Sequence, residues 1–406
     1  MDYVKRNLEH KINDLLAKFP AVVLIGARQV GKSILLKRVL PNAKLFDLED
    51  EQDYQLAEND PMVIFQDYPK PIVFDEAQLS NKLFSALRVE IDRTKANGQF
   101  LLSGSSSPEL LGNISETLAG RVAIIEIPCL DYSESFSTNK SALVESFSSI
   151  DKIKQLEAVN VIDDIFESCL YGGYPQPFLL RRDLDYFDAW FNNYFKTYID
   201  RDVRALFPTL KLDSFKKFIR MMARSNGEIT NYSDYARSLD VSQPTIKKYF
   251  EIADGTFIWR IQPSYTKNSK KTVIKMPKGH FRDSGLLCYL LNINTIDELK
   301  NHPHFGRIWE SFVIEQMIKM MNLFHSKYDF YYFRTKSKAE IDLILEGRFG
   351  LIPIEIKSGI NTSQKQIISL KNFVTENNCP FAIVINRGNE IKMLAKDVIQ
   401  VPVNYI

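Results

Sequence analysis

The sequence predicts an α/β protein with a parallel-sheet core, a helical connector and a smaller second α/β domain. Short apolar segments alternate with helical stretches through the first third of the chain, which is typical of a parallel sheet covered on both faces. Four further apolar segments, which we predict to be strands, follow a long helical stretch near the carboxyl-terminal end: "DFYYFRT", "AEIDLILE", "LIPIEIK" and "FAIVIN". A chain of 406 residues is also too long for one ordinary hydrophobic core. These observations predict the α/β class and more than one domain.

Composition and charge are those of a globular protein without an overall affinity for nucleic acid. Hydrophobic residues make up 45% of the chain and charged residues 25%, and the net charge is only +2. A nucleic-acid surface is therefore expected only as a local basic patch. We predict four regions along the chain, a core over 1–138, a helical region over 139–225, a connector over 226–300 and the second α/β domain over 301–406.

Cysteine usage and hydropathy indicate a cytoplasmic protein without a membrane partner. Cys129, Cys169, Cys288 and Cys379 lie far apart, which argues against a zinc site and a disulfide framework and suits a reducing compartment. The first residues lack the apolar core of a signal peptide, and no apolar run is long enough to span a bilayer.

The core region contains five apolar segments that we predict to be strands. Each is a short run of buried-type residues bounded by turn or helix signals. They are "AVVLIG", "KLFDLED", "PIVFDEA", "GQFLLSGSS" and "RVAIIEIP".

The first of these strands runs directly into a phosphate-loop pattern, "GARQVGKS". Gly26 and Gly31 allow the backbone to curl so that its N–H groups face a phosphate at a helix N-terminus. Lys32 would add a charge at the β- and γ-phosphates, and Ser33 a hydroxyl to Mg²⁺. The alternative is a chance glycine-rich turn. The predicted nucleotide contacts are Gly26, Ala27, Arg28, Gln29, Val30, Gly31, Lys32, Ser33 and Ile34.

The third strand ends in an acidic pair. Asp75 would hold the Mg²⁺ shell, and Glu76 would polarise the attacking water as a general base. Alone, such a pair is often only a helix cap. Behind a phosphate loop it indicates nucleotide hydrolysis, and the absence of an Asn-Lys-x-Asp motif from the sequence favours ATP over GTP.

With "RNLEHKINDLLAKFPAVVLIGARQVGKS", "IVFDEAQ" and "FLLSGSSSPELLGNISETLAGR" the chain resembles the prokaryotic AAA-type ATPases that carry a carboxyl-terminal domain of unknown function. "YGGYPQPF", "YFKTYIDRDV" and "HFRDSGL" extend the resemblance over most of the chain. It implies that Ser103 or Ser105 senses the γ-phosphate and that a homo-oligomer supplies an arginine in trans. The candidates for this arginine are Arg121, which we rank first, and then Arg201 and Arg204. For each of them the alternative is a structural ion pair.

The stretch "EITNYSDYARSLDVSQPTIKKYFEIADGTFI" predicts a helix-turn-helix, with Ser242 as N-cap and Lys247 and Lys248 facing outward. The following "RIQPSYTKNSKKTVIK" is expected to form a β-wing. Its basic residues are Lys267, Lys270, Lys271 and Lys275. Such a winged-helix unit binds DNA phosphates in some proteins and serves as a protein-interaction module in others. Both roles stay open.

The segment "AEIDLILEGRFGLIPIEIKSG" predicts a hairpin that brings Asp342 opposite Glu355. Lys357 shares a strand face with Glu355, so that two carboxylates and a lysine would form a metal-dependent phosphodiesterase site. The pattern resembles the PD-(D/E)xK nuclease superfamily, which implies a further metal ligand on the preceding helix. Glu310 matches that position, and Glu315 is the fallback. An inactive binding fold is the alternative.

Together these features predict an ATP-hydrolysing protein that acts on DNA, with Mg²⁺ as cofactor and with nucleotide state controlling the carboxyl-terminal domain. Two other functions stay open. One is an ATP-dependent switch for protein partners with the nuclease-like domain as an inactive scaffold. The other is a nuclease that binds ATP but barely hydrolyses it.

Overall fold

The computed structural model describes residues 3–104, 117–204, 207–208, 210–266, 275–336 and 339–406, and for residues 200–202 only the backbone. The chain divides into two compact units. The first comprises Met1–Leu130 together with Gly255–Phe257, and the second comprises Asp131–Asp254 and Ile258–Ile406.

The first unit is built on a five-stranded parallel sheet, which confirms the predicted α/β core. Its strands are β1 (Ala21–Ile25), β2 (Lys44–Asp47), β3 (Ile72–Asp75), β4 (Phe100–Gly104) and β5 (Val122–Glu126). Their order across the sheet is β2-β3-β4-β1-β5, and every pair is parallel. The described helices are α1 (Glu9–Leu16), α2 (Lys32–Val39), α3 (Glu51–Asn59), α4 (Pro61–Asp67) and α5 (Asn81–Thr94).

Burial explains why these strands are continuous apolar runs. Every residue of β1, β3 and β4 is buried, because helices cover both faces of a parallel sheet. The edge strand β5 alternates instead, and the side chain of Ile124 is 42% exposed. The insertion of β4 between β1 and β3 places the ends of three neighbouring strands at one edge of the sheet, where the phosphate loop begins.

The second unit starts with helices, as the sequence predicts. They are α6 (Tyr132–Phe136), α7 (Ile150–Lys154), α8 (Ile162–Tyr171), α9 (Pro175–Leu179), α10 (Leu184–Thr197) and α11 (Leu212–Arg224), with a π-helical turn at Tyr198–Val203. Asp131 opens α6 with a capping box: its side chain accepts from the Glu134 N–H and the Glu134 side chain accepts from the Asp131 N–H.

Two of the sequence motifs meet in this unit. The Asp283 carboxylate accepts hydrogen bonds from the N–H groups of Gly173 and Leu286, both at 2.8 Å. Gly172 has φ 71°, and a Cβ there would lie 2.4 Å from the Asp283 carboxylate. The "YGGYPQPF" and "HFRDSGL" segments are therefore joined by a buried hydrogen bond from a backbone N–H to the Asp283 carboxylate, at a close approach that only glycine permits.

A helical pair and a two-stranded sheet follow. These elements are α12 (Tyr232–Leu239), α13 (Gln243–Gly255), β6 (Trp259–Gln262) and β7 (Lys278–Phe281). Asp240 ends α12 in the left-handed region, with φ 52°, and the Ser242 hydroxyl caps α13 by accepting from the Thr245 N–H at 3.3 Å. The strands β6 and β7 are antiparallel, and Ile229 forms an isolated bridge to Lys278.

The last part of the chain forms a second sheet together with several helices. It contains α14 (Ser284–Leu290), α15 (Ile296–Asn301), α16 (Phe305–Phe324), β8 (Tyr328–Arg334), β9 (Glu340–Gly347), β10 (Gly350–Ile356), α17 (Ile368–Asn377), β11 (Ala382–Asn386), β12 (Lys392–Ala395) and β13 (Val398–Pro402). The six strands are ordered β12-β13-β11-β10-β9-β8. The four strands predicted here, β8 to β11, are confirmed, whereas β12 and β13 were not predicted.

Among the described residues, no helix has both the length and the apolar character needed to cross a membrane. All four cysteines are buried and carry free thiols.

Candidate functional site

The phosphate loop lies between β1 and α2. A Cβ at Gly26 would come within 2.4 Å of the Ile127 carbonyl oxygen, so only glycine fits at position 26 with this loop conformation. Gly31 has φ 93° and serves as the N-cap of α2. The loop therefore adopts the curled backbone that the sequence predicts, ending at a helix N-terminus.

Lys32 turns back into this loop. Its ammonium donates hydrogen bonds to the carbonyl oxygens of Gly26 at 3.0 Å and Ala27 at 2.9 Å, and the side chain is buried. Ser33 and Ile34, in the first turn of α2, are exposed. Arg28 forms an ion pair with Glu49 at 3.1 Å. The Lys32 ammonium is thus held against the first two residues of the loop.

The ends of β3 and β4 add a polar cluster. The Ser103 hydroxyl donates to the Asp75 carboxylate, and both side chains are buried. The Glu76 N–H donates to Asp75 Oδ1 at 3.1 Å. Glu76 itself has φ 52° and ψ 44°, a left-handed conformation, and its carboxylate accepts from the Gln78 side chain. Ser103 is in register with Leu24 of β1, next to the strand end that starts the loop.

These residues fit a nucleotide with Mg²⁺. The loop provides a cradle that a Cβ at Gly26 would fill, and the hydroxyl of Ser33 and the carboxylate of Asp75 are oxygen donors of the kind that Mg²⁺ prefers. Their contacts with nucleotide and metal stay predictions. Ser105, the other candidate sensor, lies outside the described residues.

Arg121 lies far from its own phosphate loop. It directly precedes β5, whose first residue, Val122, pairs with Ala21 at the start of β1. The guanidinium of Arg121 forms an ion pair with Asp92, at 2.7 and 2.9 Å. Arg204 is exposed, and the side chain of Arg201 lies outside the described structure. A catalytic role for Arg121 would therefore require a neighbouring subunit.

Sequence reasoning missed Arg6. This side chain is buried, and its guanidinium donates to the carbonyl oxygens of Val30 at 2.8 Å and Pro128 at 2.7 Å. Val30 belongs to the phosphate loop, so Arg6 ties the loop to the segment after β5. An arginine in an amphipathic N-terminal stretch carries no local signal of such a contact.

A second candidate site is a cleft of about 580 Å³ in the carboxyl-terminal sheet. The β9–β10 register ends at Leu343 and Ile354, which leaves Asp342 and Glu355 as the next residues on the two strands. The Asp342 carboxylate accepts from the Ile356 N–H at 2.8 Å, and Lys357 donates to Glu355. The residues that sequence reasoning assigned to this site all line the cleft, namely Glu310, Asp342, Glu355 and Lys357.

The structure adds Lys278 to this cleft, a residue that sequence reasoning did not assign to it. The side chain is 4% exposed, and its ammonium lies 2.8 Å from Glu310 Oε1 and 3.0 Å from Glu340 Oε1. Lys278 comes from β7, far from the hairpin in sequence. The predicted third metal ligand, Glu310, is therefore paired with a lysine.

Burial and neighbouring carboxylates raise the pKa of the acidic side chains in this cleft. Burial raises the pKa of Glu310 to about 7, and the Asp342 carboxylate adds to the rise against the opposing Lys278 ammonium. Burial likewise raises the pKa of Asp342 and that of Glu355 above their usual values. Burial lowers the pKa of Lys278, but its carboxylate neighbours outweigh this effect and raise the pKa above its usual value. A positive charge in the cleft stabilises the ionised carboxylates.

The donor set fits a divalent cation only in part. Carboxylate oxygens suit Mg²⁺ or Mn²⁺, and Glu355 Oε2 is buried and accepts no hydrogen bond. Yet over the described ranges no three His, Cys, Asp or Glu side chains converge as a metal ion requires. Two of the carboxylates that line the cleft, Glu310 and Glu340, instead accept hydrogen bonds from the Lys278 ammonium.

Glu315, the fallback for the helical acid, does not line this cleft. It is buried and forms an ion pair with Arg260, and the His280 ring lies 2.8 Å from its carboxylate. The carboxylate thus serves a buried network between α16 and the strands β6 and β7.

The helical pair presents a few basic side chains. Lys247 and Lys248 of α13 are exposed, with their ammonium groups each 5.8 Å from an aromatic ring centroid, of Tyr232 and Phe207 respectively. Lys275 is exposed as well. The other predicted wing lysines, Lys267, Lys270 and Lys271, lie outside the described residues.

Three families match successive parts of the chain. The family described as "AAA domain" matches residues 18–136. Two domains of unknown function, DUF8612 and DUF4143, match residues 162–297 and 305–406.

Proteins of similar sequence and structure come from bacteria and archaea. The uncharacterized proteins Rv2008c of Mycobacterium tuberculosis and Mb2031c of Mycobacterium bovis are each 32% identical over 345 residues, 84% of this chain and 71% of theirs. A solved structure, the Walker-type ATPase PABY2304 of Pyrococcus abyssi, aligns with a TM-score of 0.47 at 16% identity, over 71% of this chain and 96% of that one. Another, the signal-transduction ATPase PH0952 of Pyrococcus horikoshii, aligns with a TM-score of 0.29 at 13% identity, over 79% of this chain and 47% of that one.

Proposed function

The chain belongs to the family of the two uncharacterized mycobacterial proteins and carries an AAA domain, and from this premise we propose that it binds and hydrolyses ATP. The observation that carries the proposal is the grouping of functional residues at one edge of the parallel sheet. Lys32 lies in the phosphate loop after β1, and Asp75, Glu76 and Ser103 cluster at the neighbouring ends of β3 and β4.

In the proposed reaction the loop N–H groups and Lys32 bind the phosphates of ATP. Mg²⁺, held by Ser33 and Asp75, would neutralise charge on the β- and γ-phosphates. Glu76 takes a proton from the attacking water, whose oxygen forms a bond to the γ-phosphorus while the bond to the bridging oxygen of ADP breaks. Ser103 holds Asp75 in place through its hydroxyl hydrogen bond.

The test is phosphate release from MgATP alongside direct ATP binding. We expect Lys32→Ala to lose both, because it removes the charge that meets the phosphates. Glu76→Gln should bind ATP but hydrolyse it roughly 10²–10⁴-fold more slowly, as expected for loss of a general base. Lys37→Ala, an exposed lysine on the same helix, is the matched control and should behave like wild type. Turnover unaffected by Glu76→Gln would refute hydrolysis at this site.

For the second unit we propose a role on DNA, with the carboxyl-terminal cleft as a PD-(D/E)xK-like phosphodiesterase site. The supporting observation is that two buried carboxylates, a helical glutamate and Lys357 line one cleft. The helical pair with its two-stranded sheet is proposed as a winged-helix unit, in which Lys247 and Lys248 would meet DNA phosphates. The alternative, an inactive scaffold for protein partners, is favoured by the Lys278–Glu310 ion pair.

Cleavage of supercoiled, linear and branched DNA decides between these two roles. It is measured with Mg²⁺ or Mn²⁺, with and without ATP, in wild type and in Asp342→Ala, Lys357→Ala and Lys32→Ala variants. Cleavage lost in the first two variants supports the nuclease. Wild-type cleavage no greater than theirs makes the domain a scaffold. We also propose that nucleotide state controls DNA affinity, and equal affinity with ATP, with ADP and in Lys32→Ala would exclude this.

A further inference from the structure

Unlike an ordinary surface lysine, Lys278 has a buried ammonium group. Its side chain is 4% exposed, and its ammonium donates to Glu310 at 2.8 Å and to Glu340 at 3.0 Å. The ammonium also lies 5.9 Å from the centre of the Tyr332 ring. A buried ammonium is stable only when carboxylates surround it, so these contacts fix where the charge can lie.

The strands around Lys278 hold it in this position. On β7 it pairs with Gln262 of β6, and it bridges to Ile229 on its other side. The Gln262 side-chain amide donates to the Asp342 carbonyl oxygen at 2.8 Å and to the Tyr331 carbonyl oxygen at 3.0 Å. The two-stranded sheet is therefore bonded to the strands that carry the cleft.

Two further carboxylates of the cleft, Glu355 and Asp342, form no hydrogen bond with Lys278. Glu355 is 7% exposed and lines the cleft, and its Oε2 is buried and accepts no hydrogen bond. Asp342 is also buried beside it. A buried carboxylate oxygen without a donor is costly unless a cation meets it. Lys278 thus pairs with Glu310 and Glu340, and Lys357 pairs with Glu355 through Oε1, while Oε2 of Glu355 has no hydrogen-bond partner.

We propose that Lys278 is a resident cation of the cleft, which keeps Glu310 and Glu340 from a divalent metal and confines metal binding to Asp342 and Glu355. This inference rests on the cleft proposed above as a cation site, but not on nuclease activity. Such a site would bind a metal through the two carboxylates of Asp342 and Glu355, without Glu310, the third ligand that the sequence predicts. The lysine therefore lowers the affinity of the cleft for metal.

Mn²⁺ binding to the nucleotide-free full chain, followed by calorimetry, tests the proposal. Lys278→Met removes the charge and keeps the unbranched side chain as far as the ε position, so Mn²⁺ should bind about tenfold or more tightly than in wild type. Lys278→Arg keeps the charge and should bind as wild type does. Lys275→Met, an exposed lysine of the same segment, is the matched control, and Asp342→Asn gives the background from the rest of the chain. Equal Mn²⁺ affinity in Lys278→Met and wild type overturns the proposal.

A second comparison keeps the proposal testable if Lys278→Met fails to fold. Removing both partners of an ion pair perturbs a fold less than removing one. The double variant Lys278→Met/Glu310→Gln is therefore compared with Glu310→Gln alone. Tighter Mn²⁺ binding in the double variant supports the resident cation, and equal binding overturns it.

Failure of this inference can be separated from failure of the proposed nuclease, because Mn²⁺ binding is measured without DNA. Tighter Mn²⁺ binding in Lys278→Met without DNA cleavage refutes the nuclease alone. Metal-dependent DNA cleavage that is lost in Asp342→Ala, with Mn²⁺ affinity unchanged by Lys278→Met, refutes the resident cation alone.

Discussion

Glu76 combines a proposed catalytic role with an unfavourable backbone conformation. Its φ of 52° lies in the left-handed region, which costs a residue with a Cβ roughly 1 kcal/mol or more. Glycine adopts this conformation without that cost. We therefore expect the free energy of unfolding of Glu76→Gly to exceed that of Glu76→Gln by about 1 kcal/mol. Both variants are expected to lose hydrolysis. Chemical denaturation of the two variants measures the difference. Equal stability would mean that the backbone at residue 76 carries no strain.

Arg6 gives a second prediction at this scale. Arg6→Ala removes the donors to the Val30 and Pro128 carbonyl oxygens, and we expect it to lower the free energy of unfolding by roughly 2 kcal/mol. Because Val30 lies in the phosphate loop, ATP affinity should fall as well. Fluorescent-nucleotide titration and thermal unfolding measure both effects. Lys5→Ala, its exposed neighbour, should change neither, and wild-type ATP affinity in Arg6→Ala would show that the loop keeps its shape without this contact.

Which residues the sequence could identify depended on how far apart their partners lie. Asp342, Glu355 and Lys357 could be placed in one cleft because a short hairpin and strand alternation fix their relation locally. Lys278 could not, because its partners lie on α16 and β9, at least 32 residues away. In the sequence it was simply one more basic residue in a lysine-rich segment. Tertiary contacts of this kind leave no periodic signal.

At the scale of elements, a buried network joins α16 to β6 and β7. The Glu315 carboxylate accepts from Arg260 and from His280, and all three side chains are buried. Burial lowers the pKa of His280 from its ordinary value of 6.5. Burial raises the pKa of Glu315, but Arg260 and His280 outweigh this effect, and the net pKa lies well below its ordinary value of 4.5.

These shifts predict that acid destabilises the network. Below about pH 6.5 the unfolded chain protonates His280 while the folded chain keeps it neutral, so the free energy of unfolding falls as pH decreases. Below about pH 4.5 a further loss follows, because unfolded Glu315 takes up a proton that the folded residue resists. Denaturant unfolding from pH 7.5 to pH 5.0 measures the first step.

A matched variant isolates this effect from other titrations. His280→Gln removes the titrating ring, so we expect the difference in unfolding free energy between wild type and this variant to shrink as the pH falls below 6.5. Glu315→Gln leaves Arg260 buried without its counter-ion and should cost roughly 3–5 kcal/mol at neutral pH. A constant difference between wild type and His280→Gln across the range would show that His280 titrates alike in both states.

Elements were predictable where burial imposes a pattern. The strands β1, β3 and β4 are buried throughout, which gives the continuous apolar runs that the sequence displays. The strand β12 is an edge strand with two exposed and two half-buried residues, and its segment "KMLA" shows neither an apolar run nor alternation. The buried strand β13 follows it after a short turn, and "VIQVP" contains a buried glutamine that interrupts its apolar pattern.

At the scale of the whole molecule, Arg121 makes the assembly of the protein testable. It directly precedes β5, at the side of the sheet where the amino-terminal ends of β1 and β5 lie, whereas the phosphate loop follows the carboxyl-terminal end of β1 five residues later. At about 3.3 Å per strand residue, these two sides of the sheet are roughly 16 Å apart. Arg121 therefore cannot serve its own phosphate loop, and a catalytic role requires a second copy of the chain.

We propose that Arg121 reaches the nucleotide of a neighbouring subunit in a homo-oligomer. On that basis Arg121→Ala should reduce hydrolysis by about 10³-fold or more, as for other arginines that act in trans. Mixed with Glu76→Gln, it should regain activity, because a Glu76→Gln subunit offers an intact Arg121 to a neighbour whose Glu76 is intact. In a closed ring of equal random mixing, about a quarter of the sites would be complete.

The control for this experiment is Arg88→Ala, another exposed arginine on the helix that carries Asp92, and it should hydrolyse ATP normally. Light scattering with and without ATP establishes whether an oligomer forms. If the mixture is no more active than its parents, Arg121 acts only through its ion pair with Asp92. Asp92→Ala would then reproduce any effect of Arg121→Ala, and that effect would be small, because an exposed ion pair contributes little to stability.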